Sequence, residues 1–142
     1  MSGTNVTLRP LRTPQHQCIY LCWQINRGLM MDDGDLVVRA VAAFNAHDAG
    51  AFAALFADDG VIFEYPDRAV ARGREAVRTY AGGMFASFPA SKVELLGRTD
   101  LGTRQITHER IHRGDGSPPY EAGLVYDCSE GHIERMDFVR AL

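Results

Sequence analysis

A chain of 142 residues, 46% hydrophobic and 23% charged, has the composition of an average globular domain, which excludes disorder, fibrous repeats and a disulfide-stapled miniature. Its formal net charge of −3 gives no electrostatic footprint for nucleic acid or for an anionic membrane surface. No apolar run reaches the roughly 18 residues that a membrane-spanning helix needs, so neither nucleic acid nor membrane is expected as a partner.

Residues 1–31 carry no helical or strand period. The segment CIYLCWQI within them is too short and too poorly flanked for a secretory signal. They read as an irregular N-terminal extension to a domain spanning 32–142. The chain has three cysteines, Cys18, Cys22 and Cys128, an odd number with no CxxC pair. His16, Cys18 and Cys22 have the spacing of half a metal site. With no second ligand pair, the three read as filler, so no metal is expected. Reduced thiols point to a cytoplasmic protein.

Regular patterning begins at Asp32. Asp32, Asp33 or Asp35 can cap a helix whose stripe is Leu36, Val37, Ala40, Val41 and Phe44. After a break at NAHDAG, Asp48 can cap a shorter helix with Phe52, Leu55 and Phe56 on one side. The ADDG stretch (57–60) reads as a turn, Val61–Tyr65 as a strand stopped by Pro66, and 67–73 as loop. Gly73-Arg74-Glu75 opens a third helix with Val77, Tyr80, Ala81 and Met84 facing inward. Four strands are then expected over Lys92–Arg98, Arg104–His112, Tyr120–Asp127 and His132–Val139. The short turns between them imply antiparallel pairing, since a parallel return needs a crossover of about a dozen residues. The fold class is therefore α+β, with helices covering the concave side of a curved, mainly antiparallel sheet and leaving a cavity where they do not fill it.

The segment THERIH (107–112) carries most of the ionisable groups. As a strand it separates into two rows: His108, Arg110 and His112 on one face, Thr107, Glu109 and Ile111 on the other. The basic row is either the working wall of a cavity or a solvated sheet face, with Arg110 pairing to Glu121 or Asp137 in the second case. The expectation carried forward is that the basic row faces the cavity and that Glu109 faces away, toward a dimer surface. Asp58 and Asp59, adjacent at a helix end, read as turn formers, as do Asn45 and His47.

The stretches FNAHDAGAFAALFADDGVIFEYP and GREAVRTY, followed by THERIHR and YEAGLVYDCSEGHIERMDF, resemble SnoaL-like proteins of the nuclear transport factor 2-like superfamily over about residues 35–140. The resemblance implies a cone-shaped barrel of three helices on a curved sheet, an apolar cavity for a small molecule, no cofactor, and frequent homodimers through the outer sheet face. Activity varies widely on this fold, so it has to be argued from the cavity residues.

Three layouts known from the superfamily place different residues at the site. A ketosteroid isomerase layout puts the catalytic base at Glu64 or, counted from Pro66, at Tyr65, and its oxyanion donors at Ala40 and Tyr120. Glu64 is preferred because a carboxylate can shuttle a proton, whereas a tyrosine titrates near 10. A limonene epoxide hydrolase layout aligns its arginine with Arg110, and its two aspartates with His112 and Phe138. A SnoaL-type cyclisation asks only for an acid/base pair, which Glu64 with His112 or His108 supplies. The resemblance thus implies Glu64, His112, His108 and Arg110 as catalytic residues, with Tyr120, Tyr65, Phe44 and Tyr80 contacting substrate. The expected activity is isomerase- or cyclase-type proton transfer on an apolar cyclic or carbonyl compound. A non-catalytic ligand-binding or scaffold module and an epoxide hydrolase are the alternatives.

Overall fold

The computed structural model describes residues 35–141. The expected extension over 1–31, the caps at Asp32 and Asp33, and the cysteines at 18 and 22 lie outside that range. In chain order the elements are α1 (Leu36–Asn45), α2 (Ala49–Ala54), β1 (Phe56–Glu64), β2 (Arg68–Arg72), α3 (Arg74–Ser87), β3 (Lys92–Leu101), β4 (Arg104–His112), β5 (Tyr120–Ser129) and β6 (His132–Arg140). The strands form one sheet in the order β2-β1-β6-β5-β4-β3. All neighbours are antiparallel except β1 and β6, which run parallel. The α+β architecture of three helices on a curved, mainly antiparallel sheet is present, and the sheet is open, with β2 and β3 as its edges.

Local chemistry explains where the helices start. Asp48 stands in an extended conformation before α2, and its Oδ1 accepts the Ala51 N–H at 2.9 Å, satisfying one of the donors that a helix start leaves unpaired. Gly73 precedes α3 at φ 93°, a left-handed conformation that a side chain would strain, and its N–H bonds the Gly60 carbonyl at 2.7 Å. Asn45 and His47 do more than turn the chain. Asn45 donates to the Val93 carbonyl at 3.0 Å and accepts the Val93 N–H at 2.7 Å, while His47 lies 2.9 Å from the Ser91 carbonyl and stacks on Phe85. The end of α1 is thereby fastened to the start of β3.

Two sequence expectations change. Residues 68–72, expected as loop, form the edge strand β2: RAVAR alternates, and a chain reversal at Tyr65-Pro66 lays it antiparallel on β1. The ADDG stretch belongs to β1, but as an excursion from the ladder. Phe56 pairs with Ile133 and Val61 with Arg135, so four residues of β1 stand against Glu134 alone. Such a bulge bends its strand and lets both ends bury apolar side chains. The core lies between helices and sheet: Val37 and Ala40 from α1, Phe52 from α2, Val77 and Ala81 from α3, and Phe56, Ile62, Ile133 and Met136 from the central strands.

Candidate active site

The helices leave a cavity of about 180 Å³ against the concave face of the sheet. This is of the order of the roughly 150 Å³ that holds a single benzene in an apolar protein cavity. Phe44 from α1 and Tyr80 and Met84 from α3 form its roof. Ile62 and Glu64 from β1, Met136 and Phe138 from β6, Leu124 and Tyr126 from β5, and Ile111 from β4 form its floor. Phe44 is fixed edge-on against Phe85, ring centres 5.0 Å apart, and against Phe52 at 6.2 Å.

Strand β4 faces opposite to the expectation. Thr107 and Glu109 are each 2% exposed and Ile111 is 7% exposed, and Glu109 and Ile111 line the cavity. His108, Arg110 and His112 stand on the outer face. There His108 lies 2.7 Å from a Glu121 oxygen, Arg110 lies 3.3 Å from both Glu94 and Glu121, and His112 lies 3.3 Å from Glu94. The arrangement of an arginine between two carboxylates exists, but in solvent, with no enclosed space in which to activate water. These three residues therefore do not line the cavity wall, and Glu109 does not lie on the outer face.

The physical reason is cooperative. Directly opposed residues of an antiparallel pair share a face. The register sets Thr107 against Leu124, Glu109 against Ala122, and Ile111 against both Tyr120 and Val93. Turning β4 over while keeping its neighbours in place would bury two imidazoles and a guanidinium against apolar residues. Burying an unpaired cation costs several kcal/mol, whereas a single carboxyl can neutralise itself by keeping its proton. The sequence shows Tyr120, Ala122, Leu124 and Tyr126 as an apolar row, and it is the register of the folded sheet that sets this row against the odd-numbered row of β4.

Glu109 is the residue that sequence reasoning misplaced. Its Oε1 accepts the Thr107 hydroxyl at 2.8 Å and the Tyr126 hydroxyl at 3.3 Å, and Oε2 has no hydrogen-bond partner among the described residues. Burial raises its pKa above the ordinary carboxyl value, and the two donated hydrogen bonds only partly offset that. Tyr126, completely enclosed beside this carboxyl, is pushed well above the usual tyrosine value, first by burial and then by Glu109.

The other expected residues divide. Glu64 lines the cavity and Tyr65 does not: Tyr65 is 65% exposed. Of these two neighbours, Glu64 is the one that faces the cavity. Glu64 pairs with Arg68 across the β1–β2 hairpin. Tyr80, also on the wall, has its pKa raised by burial first and then by the nearby Glu64 and Tyr120. Tyr120 and Phe44 line the same cavity. Asp137 lies on the outer face with Arg135, their side chains 2.8 Å apart, and Phe138 occupies the cavity position beside it. Ala40, at the position of an oxyanion tyrosine, offers no donor. Among the described residues no group of three or more His, Cys, Asp or Glu side chains is placed to hold a metal ion. No helix among them is long and apolar enough to cross a membrane.

Comparison with known proteins agrees with this architecture. An uncharacterised cystatin-fold protein from Novosphingobium aromaticivorans superposes with a TM-score of 0.69 at 28% identity, covering 74% of this chain and 95% of that one. A "putative polyketide cyclase" from Sinorhizobium meliloti gives 0.65 at 23% identity, covering 76% and 96%. A hypothetical protein with a ketosteroid isomerase-like fold from Catenulispora acidiphila, in complex with trimethylamine, gives 0.66 at 17% identity, covering 76% and 86%. No curated protein matches the chain significantly. Residues 37–136 match the SnoaL-like domain, most of the chain and nearly all of the regular structure among the described residues, and the protein belongs to that family.

Proposed function

We propose that this protein is a cofactor-free acid/base enzyme of isomerase or cyclase type, acting on a small apolar cyclic or carbonyl compound held in the cavity. The observation that carries the reading is Glu109, a carboxyl held 2% exposed on an otherwise largely apolar wall, with one oxygen that has no hydrogen-bond partner among the described residues. Environments that push two carboxyls apart in pKa divide the labour between acid and base. Glu109, whose pKa burial raises, is the acid of the pair and donates from Oε2 to the substrate oxygen where negative charge develops. Glu64, beside Arg68 at the more open end, takes the proton from carbon. Tyr80 and Tyr120 hold the substrate between them on the same wall. His108, Arg110 and His112 take no part. The ketosteroid isomerase-like and cyclase-like relatives of similar fold are consistent with this assignment.

The test compares Glu109→Gln and Glu64→Gln with the parent on a one-ring β,γ-unsaturated ketone, a small epoxide and a small β-dicarbonyl compound, each within the size the cavity admits. Loss of about 100-fold or more in turnover for each variant on one of the carbonyl substrates is expected, the usual scale for a general acid or base. Turnover confined to the epoxide would favour a hydrolase, and no turnover on any of them would favour a binding module. That second reading has one observation in its favour: Glu64 is already engaged by Arg68.

Two companions of this reading are a homodimer through the outer sheet face and a cytoplasmic location. The outer face carries the ladder of Glu94, Arg110 and Glu121. Sedimentation of the parent against a variant carrying Arg110→Glu tests the dimer, which the reversed charge should dissociate.

A further inference from the structure

We propose that Arg113 and Arg140 form an anion subsite at the mouth of the cavity, so that the ligand is a small apolar carboxylic acid whose body enters the cavity and whose carboxylate stays between the two guanidinium groups. The inference rests on reading the cavity as a ligand site and adds the ligand's chemical class.

Both arginines line the cavity, one from the end of β4 and one from the end of β6. Both guanidinium groups lie over the ring of Tyr120, at 5.2 Å for Arg113 and 5.0 Å for Arg140, so the two heads converge on one side chain. Arg113 also lies over Phe88 at 5.4 Å and Arg140 over Phe138 at 5.7 Å. A guanidinium held against aromatic faces keeps its planar fork of N–H donors for an anion.

Neither arginine makes an ion pair among the described residues, whereas Arg68, Arg104, Arg110 and Arg135 are each matched with a carboxylate. Asp115 is close enough for Arg113 to help lower its pKa, but its Oδ1 is taken by the N–H and hydroxyl of Ser117. Glu64, the acid on the same wall, is offset by Arg68. The mouth therefore carries two cationic heads whose charge no ion pair among the described residues answers.

The backbone holds Arg113 in place. Gly114 follows it at φ 74°, and a Cβ there would sit 2.5 Å from that of Ala90. The chain leaving β4 thus passes too close to the β3 side for any residue but glycine. The volume of about 180 Å³ limits the body to roughly one ring or a short chain.

Calorimetric titration of the full chain at neutral pH with phenylacetate, cyclohexanecarboxylate and their uncharged amides tests this. Each acid is expected to bind about tenfold tighter than its amide, the scale of a charge-assisted pair at a partly exposed site. Added salt should weaken the acids and spare the amides. The double variant Arg113→Gln/Arg140→Gln should lose the preference and keep its affinity for the amides. Arg140 is exposed and Arg113 half-buried, so the fold survives, and either single substitution serves as a second reading. Equal binding of acid and amide overturns the anion subsite and leaves the cavity reading standing. Acid binding that the double variant retains overturns it too. Binding of none of the four compounds overturns both readings together.

Discussion

Glu109→Gln isolates the energetic consequence of burying a carboxyl in this cavity. The sign follows from linkage. Burial raises the folded-state pKa of Glu109 above its unfolded value. Between those two values the folded chain binds one proton more than the unfolded chain, and unfolding free energy falls as pH rises, by about 1.4 kcal/mol per pH unit. Below the ordinary carboxyl range both states are protonated and the slope vanishes. Above the raised value both are ionised and the loss has reached its full extent. Glutamine imitates the protonated form: its Oε1 accepts from Thr107 and Tyr126 as before, and its amide nitrogen replaces Oε2. At low pH the substitution should therefore cost at most about 1 kcal/mol, the worth of one imperfect hydrogen bond. The variant should then gain on the parent as pH rises through the window, and stay ahead above it. Other carboxyl groups titrate alike in both proteins and cancel. Urea unfolding of parent and variant across acid to neutral pH, with the slope of the transition shared, measures the difference directly. A stability difference that stays level from the ordinary carboxyl range to neutrality would refute the account of Glu109 as a buried acid, and with it the general acid of the proposed mechanism.

Two further predictions concern the same strand. Thr107→Val removes a buried hydroxyl that donates to Glu109 at 2.8 Å while conserving shape. It should destabilise by about 1 kcal/mol while Glu109 is protonated and by about 1.5–3 kcal/mol once it is ionised, so its thermal-unfolding deficit should widen with pH. Replacing His108, Arg110 and His112 together by glutamine alters only the outer face. Ligand affinity and any turnover should stay within about twofold of the parent, as expected of exposed ion pairs far from the cavity. A tenfold loss in calorimetry or rate would place the basic row at the site after all.

The sequence by itself determined the fold class and the order of the described elements other than β2. Caps, glycines and apolar periods are local, so Asp48 before α2, Gly73 before α3 and the three turns between β3 and β6 were readable without tertiary knowledge. Phe44 and Tyr80 were legible as inward-facing because each sits in an apolar row of its own helix, whereas Glu64 and Tyr120 were reached only through the family resemblance; all four line the cavity. Only the tertiary structure decided which face of β4 is inside. Both of its rows are mixed, one with two imidazoles and a guanidinium, the other with a single carboxyl, so alternation within the strand carries no sign. The sign is supplied by the neighbours, through a register that sets Ile111 between Val93 and Tyr120 and places Glu109 opposite Ala122. Burial is settled by the sum over the paired strands, and one acid that can hold its proton is the cheaper group to enclose. The same holds for the RAVAR strand: five residues with little burial form a strand because the hairpin at Tyr65-Pro66 brings them to an open sheet edge.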